Sequence, residues 1–450
     1  GCATTRSERP PYPRDIARQL PDRPPTPTTG SGRHRSAPPG TAERGRPRWR
    51  VPGGRLGLLA LAVLVVAGLA VGIPRLVAAR HPEPAAGSPA GTTSSTASGT
   101  AGTTGAPADS PAPAAAPGLP ACAPKVAALP LRARLAQRLW VGVNPAQPNS
   151  ARTVVAADGI GGIFIGGNPT AMLRANALAP MRAASPLPVA VSVDEEGGRV
   201  QRIDQLDGSI PSARVMAQTM TPAQVRALGA KRGKQLRARG VTVDMAPVLD
   251  VGNQPAGSAI GDRSFSADPN TVVSYAGAFA SGLRDAGVLP VFKHFPGHGR
   301  VNGDSHAGLV STPPLASLRT DDLVPYRDLL GTGPAAVMVG HLNVPGLTGG
   351  QPASLSPAAY QLLRGDFGFR GLVMTDDLGA MRAITDQHDL PDAVLTALRA
   401  GADVALWTSG GDPGTVLDRL QAAVRTGQLP QANVDQATAR VLAAKGLCTD

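Results

Sequence analysis

The first 55 residues contain almost no large apolar side chains and are rich in Pro, Gly, Ser and Thr. Such a segment cannot bury enough surface to offset the entropy lost on folding. It carries 12 Arg and four acidic residues, and hence +8 of the formal net charge of +12. We therefore predict that residues 1–55 form a disordered tail, and that the high isoelectric point mainly reflects this tail.

Aromatic residues are also scarce, at 3% of the chain, and no Lys or Arg stripe with interleaved aromatics follows the tail. Nucleic-acid-binding proteins usually concentrate basic residues on one face or along one helix. The composition therefore argues against nucleic-acid binding, and we expect no nucleic-acid partner.

The 19 residues Leu56 to Pro74 carry no charge and are flanked by arginines. As a helix they would span ~28 Å, close to the hydrocarbon thickness of a bilayer. We predict a transmembrane helix or signal anchor over residues 56–77 in a cell membrane, with the Arg-rich side in the cytoplasm and the C-terminal region outside. The alternative is a signal peptide that is cleaved near residues 76–79, which would give a secreted protein.

Residues 78–121 are mostly Ala, Gly, Pro, Ser and Thr, which is typical of a linker.

Cysteine occurs three times in the sequence. Cys2 lies in the tail, whereas Cys122 and Cys448 bracket the remaining chain. Such a pair can oxidise outside the cytoplasm, and the ends of a closed barrel lie near each other. We expect a disulfide between them, with two unpaired thiols as the alternative.

Within residues 122–450, eight short apolar runs alternate with segments of helical periodicity. This pattern is typical of a parallel sheet covered by helices, and eight units favour a single (β/α)₈ TIM barrel. A Rossmann fold is disfavoured because Phe164 stands where the third glycine of G-x-G-x-x-G is required. The predicted strands are residues 139–143, 162–166, 188–193, 241–248, 289–294, 335–341, 371–377 and 402–407, and the predicted helices include 222–240, 268–287, 318–330, 391–400 and 431–446.

Catalytic groups of such barrels lie where strands end and loops begin. Polar clusters follow predicted strands three to seven here: VDEEGGRVQR, APVLDV, KHFPGHG with a later DSH, GH and TDD. Together with IGDRSF, PASLS and TDDLGAM, these motifs resemble those of family 3 glycoside hydrolases, specifically the bacterial β-N-acetylglucosaminidases (β-hexosaminidases). The resemblance runs from about Leu131 to Lys445.

This resemblance implies a retaining, exo-acting hydrolase that releases terminal β-linked N-acetylglucosamine (GlcNAc) through a covalent glycosyl-enzyme. It assigns the role of nucleophile to Asp376, while Asp377 is well placed to cap a following helix. It assigns the role of acid/base to His306, with Asp304 as its partner. Imidazole titrates near neutral pH, so it can both donate and accept a proton. The small residues around this dyad favour a mobile loop.

For substrate binding, the resemblance suggests five charged or polar side chains that can hydrogen-bond to sugar hydroxyls and the N-acetyl group: Asp194, Arg202, Arg263, Lys293 and His294. We interpret His298 as structural because it lies in the tight turn of KHFPGHG. Glu195 and Glu196 are candidates for salt-bridged loop residues. We expect no cofactor and no metal site, and a monomeric protein.

Other functions stay open at this point. A metal-dependent hydrolase using His294, His298, His306 and Asp376 is disfavoured because the early His-x-His pair is missing and Lys293 would repel a cation. A β-glucosidase of the same family is disfavoured because such enzymes often take their acid/base glutamate from an additional C-terminal domain. We expect no such domain here, because the predicted barrel occupies residues 122–450. A β-N-acetylglucosaminide phosphorylase and a non-enzymatic carbohydrate-binding protein are the remaining alternatives. Among natural glycans, the predicted location favours a cell-wall substrate.

Overall fold

The computed structural model of the protein describes residues 120–147, 149–167, 170–174, 176–301 and 303–448. The predicted tail, transmembrane helix and linker, together with Cys2, lie outside these residues. Among the helices that are described, none is long and apolar enough to cross a bilayer.

Eight parallel strands close into a barrel in which each strand pairs with the next barrel strand along the chain. Closure occurs where the first barrel strand pairs with the last, with Leu139 opposite Ala405. The predicted (β/α)₈ barrel is therefore confirmed. The strands are β1 (Leu139–Val143), β2 (Gly162–Ile165), β3 (Ala190–Val193), β4 (Val243–Asp244), β5 (Leu289–Phe295), β7 (Ala336–Val339), β9 (Leu372–Asp377) and β10 (Val404–Trp407).

Two details of the sheet differ from the prediction. Strand β4 has only two residues, although Met245 still donates to the Val193 carbonyl and the Ala246 carbonyl still accepts from Val291. Pairing resumes as a single bridge between Val248 and Lys293. In addition, two short strands, β6 (Val310–Ser311) and β8 (Leu342–Asn343), pair in parallel outside the barrel.

The helices surround the barrel, and most of those predicted are present. The predicted helix over 318–330 is wrong: it is two helices with a break at Asp321, because Pro325 cannot donate to the carbonyl four residues earlier but fits a first turn. The helices are α1 (Ala123–Ala127), α2 (Leu131–Gln137), α3 (Asn149–Asp158), α4 (Ala179–Ala183), α5 (Asp204–Asp207), α6 (Ala213–Thr219), α7 (Pro222–Ala238), α8 (Pro269–Asp285), α9 (Leu315–Thr320), α10 (Val324–Leu329), α11 (Pro357–Gln361), α12 (Arg382–Thr385), α13 (Leu390–Ala400), α14 (Pro413–Arg425) and α15 (Gln431–Ala444).

Apolar side chains from many of the barrel strands form one buried cluster, which includes Trp140, Phe164, Met245, Met338 and Met374. A second, larger cluster joins the strands to the surrounding helices. Because apolar side chains fill the barrel, as is usual for this fold, functional groups gather at the strand ends.

The two ends of the described chain are joined by a disulfide between Cys122 and Cys448, whose Cα atoms lie 5.0 Å apart. Cys122 is buried against the last helix in a small apolar cluster with Val126 and Leu442. The bond therefore links α1 to the residues that follow α15.

Replacing Cys122 and Cys448 by Ala is expected to lower the free energy of unfolding by about 2–4 kcal/mol, because the closed loop restricts the unfolded chain. Thermal or denaturant unfolding of the full-length protein measures this loss. Cys2→Ala is the matched control and should leave the unfolding free energy unchanged. Two alkylatable thiols at positions 122 and 448 in the native protein would contradict the expectation.

Candidate active site

The carboxyl ends of five neighbouring barrel strands carry the polar residues that the sequence motifs single out. Asp194 follows β3, Asp250 lies beyond β4, and Lys293 and His294 belong to the end of β5. His341 follows β7, and Asp376 lies near the end of β9. Parallel strands expose these ends on the same rim, which is where TIM barrels bind and transform substrates.

Asp376 is 8% exposed, and its Oδ1 accepts the backbone N–H of Asp377 at 2.9 Å. Burial alone would raise the pKa of this carboxyl group. Electrostatic interactions with the neighbouring imidazole rings of His294, His341 and His306, together with the Asp377 N–H, outweigh burial. The pKa of Asp376 therefore falls below its usual value. Asp376 is therefore an ionised carboxylate among histidines, as a nucleophile requires.

His341 is fully buried and fixes the backbone beside Asp376. Its Nε2 lies 2.9 Å from the Asp377 carbonyl, and its Nδ1 lies 2.7 Å from the Ser354 hydroxyl. Burial lowers the pKa of His341, which favours the neutral ring. Because a carbonyl only accepts, Nε2 carries the proton and the Ser354 hydroxyl donates to Nδ1. The sequence motifs assigned no role to His341, although its position directly after β7 was a signal for one.

Asp377 does not cap a helix, contrary to the prediction. Its Oδ1 accepts the N–H groups of Gly379, Ala380 and Thr408, and its Oδ2 accepts the Thr408 hydroxyl. A turn follows, and α12 begins only at Arg382. Asp377 thus ties the end of β9 to the residue after β10, which holds Asp376 in place.

The predicted dyad is formed: His306 Nδ1 lies 2.7 Å from Asp304 Oδ1, which also accepts the His306 N–H at 3.0 Å. The His306 side chain is 62% exposed. Burial would raise the pKa of Asp304, but its hydrogen bonds to His306 and the charge of that ring lower it. The backbone carbonyl of Ser305 accepts the N–H of Ala383 in α12. The dyad loop is therefore docked on the segment that follows Asp376.

The five predicted binding residues are brought together in one polar network. Lys293 Nζ lies 2.6 Å from both Asp194 and Glu196, and Arg202 contacts Asp194 at 3.2 Å. Arg263 forms two hydrogen bonds to Glu196, at 2.7 and 2.8 Å. The network is completed by His294, whose Nε2 lies 3.5 Å from Arg263 Nη2.

This network is largely buried yet stays charged. Burial would lower the pKa of Lys293, but Asp194 and Glu196 raise it. Burial would raise the pKa of Glu196, but Arg263 and Lys293 hold it well below its usual range. Asp194, Arg202 and Arg263 keep 16–19% of their side chains exposed. These three are the members best placed to meet a ligand.

Asp250 anchors two histidines and was not among the predicted site residues. Its Oδ2 lies 2.7 Å from His294 Nδ1, and its Oδ1 accepts the backbone N–H groups of His294 and His298. Its position just after the fourth strand was the signal that could have identified it.

The buried His298 ring lies 3.5 Å from the hydroxyl of Ser305, a residue of the dyad loop. His298 therefore has structural contacts, in keeping with its predicted role.

Glu195 and Glu196 are both salt-bridged, as predicted. Glu195 accepts the N–H groups of Arg202 and Ile203 and lies 3.6 Å from Arg232. It thereby holds the loop that carries Arg202.

Within the described residues, no group of three or more His, Cys, Asp or Glu side chains could hold a metal ion.

Comparison with known proteins identifies the family. The model of the glycosyl hydrolase family 3 N-terminal domain matches residues 130–444. Beta-hexosaminidase LpqI of Mycobacterium tuberculosis is 54% identical over 327 residues, which cover 71% of this chain and 84% of that protein. A beta-hexosaminidase of Xanthomonas oryzae pv. oryzae is 39% identical over 252 residues, covering 54% and 73%.

Comparison with solved structures points to the same family. A family 3 glycosyl hydrolase from Mycobacterium smegmatis superimposes with a TM-score of 0.69 at 56% identity, covering 71% of this chain and 98% of that one. A beta-N-acetylhexosaminidase from Beutenbergia cavernae gives 0.64 at 31% identity, covering 71% and 99%. With this match, and with the polar strand ends in place, the chain belongs to glycosyl hydrolase family 3.

Proposed function

We propose that the protein is a retaining, exo-acting β-N-acetylglucosaminidase that hydrolyses terminal β-GlcNAc through a covalent intermediate on Asp376. The observation that carries the proposal is the pairing of an ionised, buried Asp376 with a His306–Asp304 dyad docked on the segment that follows it. The printed names of the relatives, beta-hexosaminidase and beta-N-acetylhexosaminidase, support a GlcNAc-releasing glycosidase.

In the first step, Asp376 attacks the anomeric carbon while His306 protonates the departing glycosidic oxygen. The carbon–oxygen bond to the leaving group breaks, and an ester to Asp376 forms. In the second step, His306 removes a proton from water, which attacks the same carbon and releases GlcNAc and the carboxylate. Asp304 at Nδ1 leaves Nε2 of His306 to carry the transferred proton in both steps.

In this mechanism the polar network orients the sugar. Its members are Asp194, Arg202, Lys293, Arg263 and His294. Its charged donors and acceptors are held by buried partners, so little side-chain entropy is lost when a polyhydroxylated ring binds. Glu195, Glu196 and Asp250 hold these groups from behind. The substrate class that fits is a glycan with an accessible, non-reducing β-GlcNAc end.

We expect turnover of aryl β-GlcNAc to exceed that of aryl β-glucoside by at least about 10²-fold, because the site must satisfy its polar groups with the N-acetyl substituent. The measurement is kcat/KM of the full-length protein on both substrates, with and without phosphate. GlcNAc should be the sugar product in either buffer. GlcNAc 1-phosphate as the main product would replace hydrolysis by phosphorolysis, and equal rates on both aryl glycosides would contradict the sugar assignment.

The anchor belongs to the same proposal: the uncharged run Leu56 to Pro74 holds the enzyme in a bacterial cell membrane with the barrel outside. Cell-wall glycans are then the nearest substrate. The full-length protein is expected to remain in the membrane fraction after carbonate extraction. A soluble form that begins near Arg80 would instead indicate a cleaved signal.

A further inference from the structure

A second polar site lies at the amino ends of the barrel strands, opposite the catalytic rim. A cavity of about 300 Å³ opens there beside the seam between β1 and β10. Arg138 directly precedes β1, Asp403 directly precedes β10, and Arg440 belongs to α15. Arg364, in the π-helix Leu362–Asp366 that follows α11, also lines what we call the arginine cavity, as do Arg370 and Arg399.

The guanidinium groups of the arginine cavity are buried but incompletely bonded. Arg138 is 1% exposed and donates from Nε and Nη2 to the carbonyls of Asp403 and Ala402. Its Nη1 has no hydrogen-bond partner among the described residues, and neither has Nε of Arg440. Both atoms have almost no accessible surface, so the donors that a ligand can reach belong to the more exposed arginines of the cavity.

The charge of the arginine cavity is also unbalanced. The Asp403 carboxylate contacts Arg364 at 2.6 Å and Arg440 at 2.8 Å. With Arg138 and the exposed Arg370 and Arg399, five arginines and one aspartate line the cavity, which gives the lining a net charge of +4. Burial lowers the pKa of Arg138 to about 10, so it still carries its charge at neutral pH.

We infer that the arginine cavity binds a phosphate group, as free phosphate or as a phosphomonoester, through the guanidinium groups of Arg370, Arg399 and Arg440. The positive lining attracts a phosphate dianion, and guanidinium groups suit its oxygens. The cavity lies at the lower end of the size range of ligand sites, which leaves room for a small organic substituent. The bound anion would link α13, which carries Arg399, to α15, away from catalysis.

Isothermal titration of the full-length protein with inorganic phosphate, and separately with glycerol phosphate, tests this inference. Thermal unfolding is recorded in parallel. At tenfold excess over the Kd we expect the Tm to rise by about 2 °C. Arg440→Gln, which keeps a hydrogen-bonding group beside Asp403, should weaken binding at least about tenfold, and Arg370→Ala about threefold. Arg152→Ala, an exposed arginine on α3, is the control. Hydrolysis of aryl β-GlcNAc should be unchanged in all three variants.

The outcomes separate this site from the catalytic rim. Tighter binding of glycerol phosphate would identify a phosphomonoester, and equal binding would identify free phosphate; both support the inference. Affinities that are unchanged in Arg440→Gln and Arg370→Ala would overturn it. Phosphate binding lost only in Arg263→Gln would place the anion in the active site, and would also overturn it. If Arg440→Gln does not fold, Arg370→Ala decides.

Discussion

Asp376→Asn is expected to reduce kcat on every β-GlcNAc substrate by at least about 10⁴-fold, because the covalent step has no other nucleophile. A good leaving group cannot restore activity, since it does not replace the bond to Asp376. Folding should survive, because the Asn side-chain oxygen can still accept the Asp377 N–H. The measurements are steady-state kinetics on aryl and disaccharide substrates, together with the Tm.

Asp377→Asn is the matched control for this substitution. The neighbouring carboxylate bonds to backbone N–H groups and to Thr408, and burial raises its pKa. An amide there should lower stability but leave measurable turnover. An active Asp376→Asn enzyme beside an inactive Asp377→Asn enzyme would reverse the assignment of the nucleophile.

His306→Ala should produce a loss that depends on the leaving group. For a disaccharide, kcat/KM should fall by about 10²–10⁴-fold, because the departing oxygen needs a proton. For dinitrophenyl β-GlcNAc it should fall less than about tenfold, since dinitrophenolate leaves without protonation. A burst of dinitrophenolate is expected, because the second step also lacks its base. Asp304→Ala should follow the same pattern less severely.

His298→Ala is the control for a structural loss. Its ring packs beside the dyad loop and should affect both leaving groups equally. Equal slowing of glycosylation in His306→Ala would reject the acid role and direct attention to Glu195 or Glu196. Glu196 is a poor replacement, because Arg263 and Lys293 keep it ionised.

The sequence predicted the barrel because each buried strand is a short apolar run, which needs no long-range information to recognise. It also predicted the polar strand ends, since parallel strands must expose their carboxyl ends together. It missed the role of Asp250 because a buried carboxylate that holds two histidines becomes evident only when β4 and β5 lie side by side. The break at Asp321 was missed because helical periodicity continues across it and only Pro325 interrupts the hydrogen bonds. The turn after Asp377 was read as a helix because Asx side chains accept N–H groups in both.

The disulfide between Cys122 and Cys448 also changes what a protease can do to this molecule. Covalently, the enclosed stretch of chain is a ring, since the two cysteines lie 326 positions apart and are joined directly. A single cut in any surface loop of the barrel opens the ring without releasing a fragment. The nicked protein would migrate as one species until it is reduced. In an oxidising compartment, where reductants are scarce, a molecule closed in this way stays in one piece after a single cut.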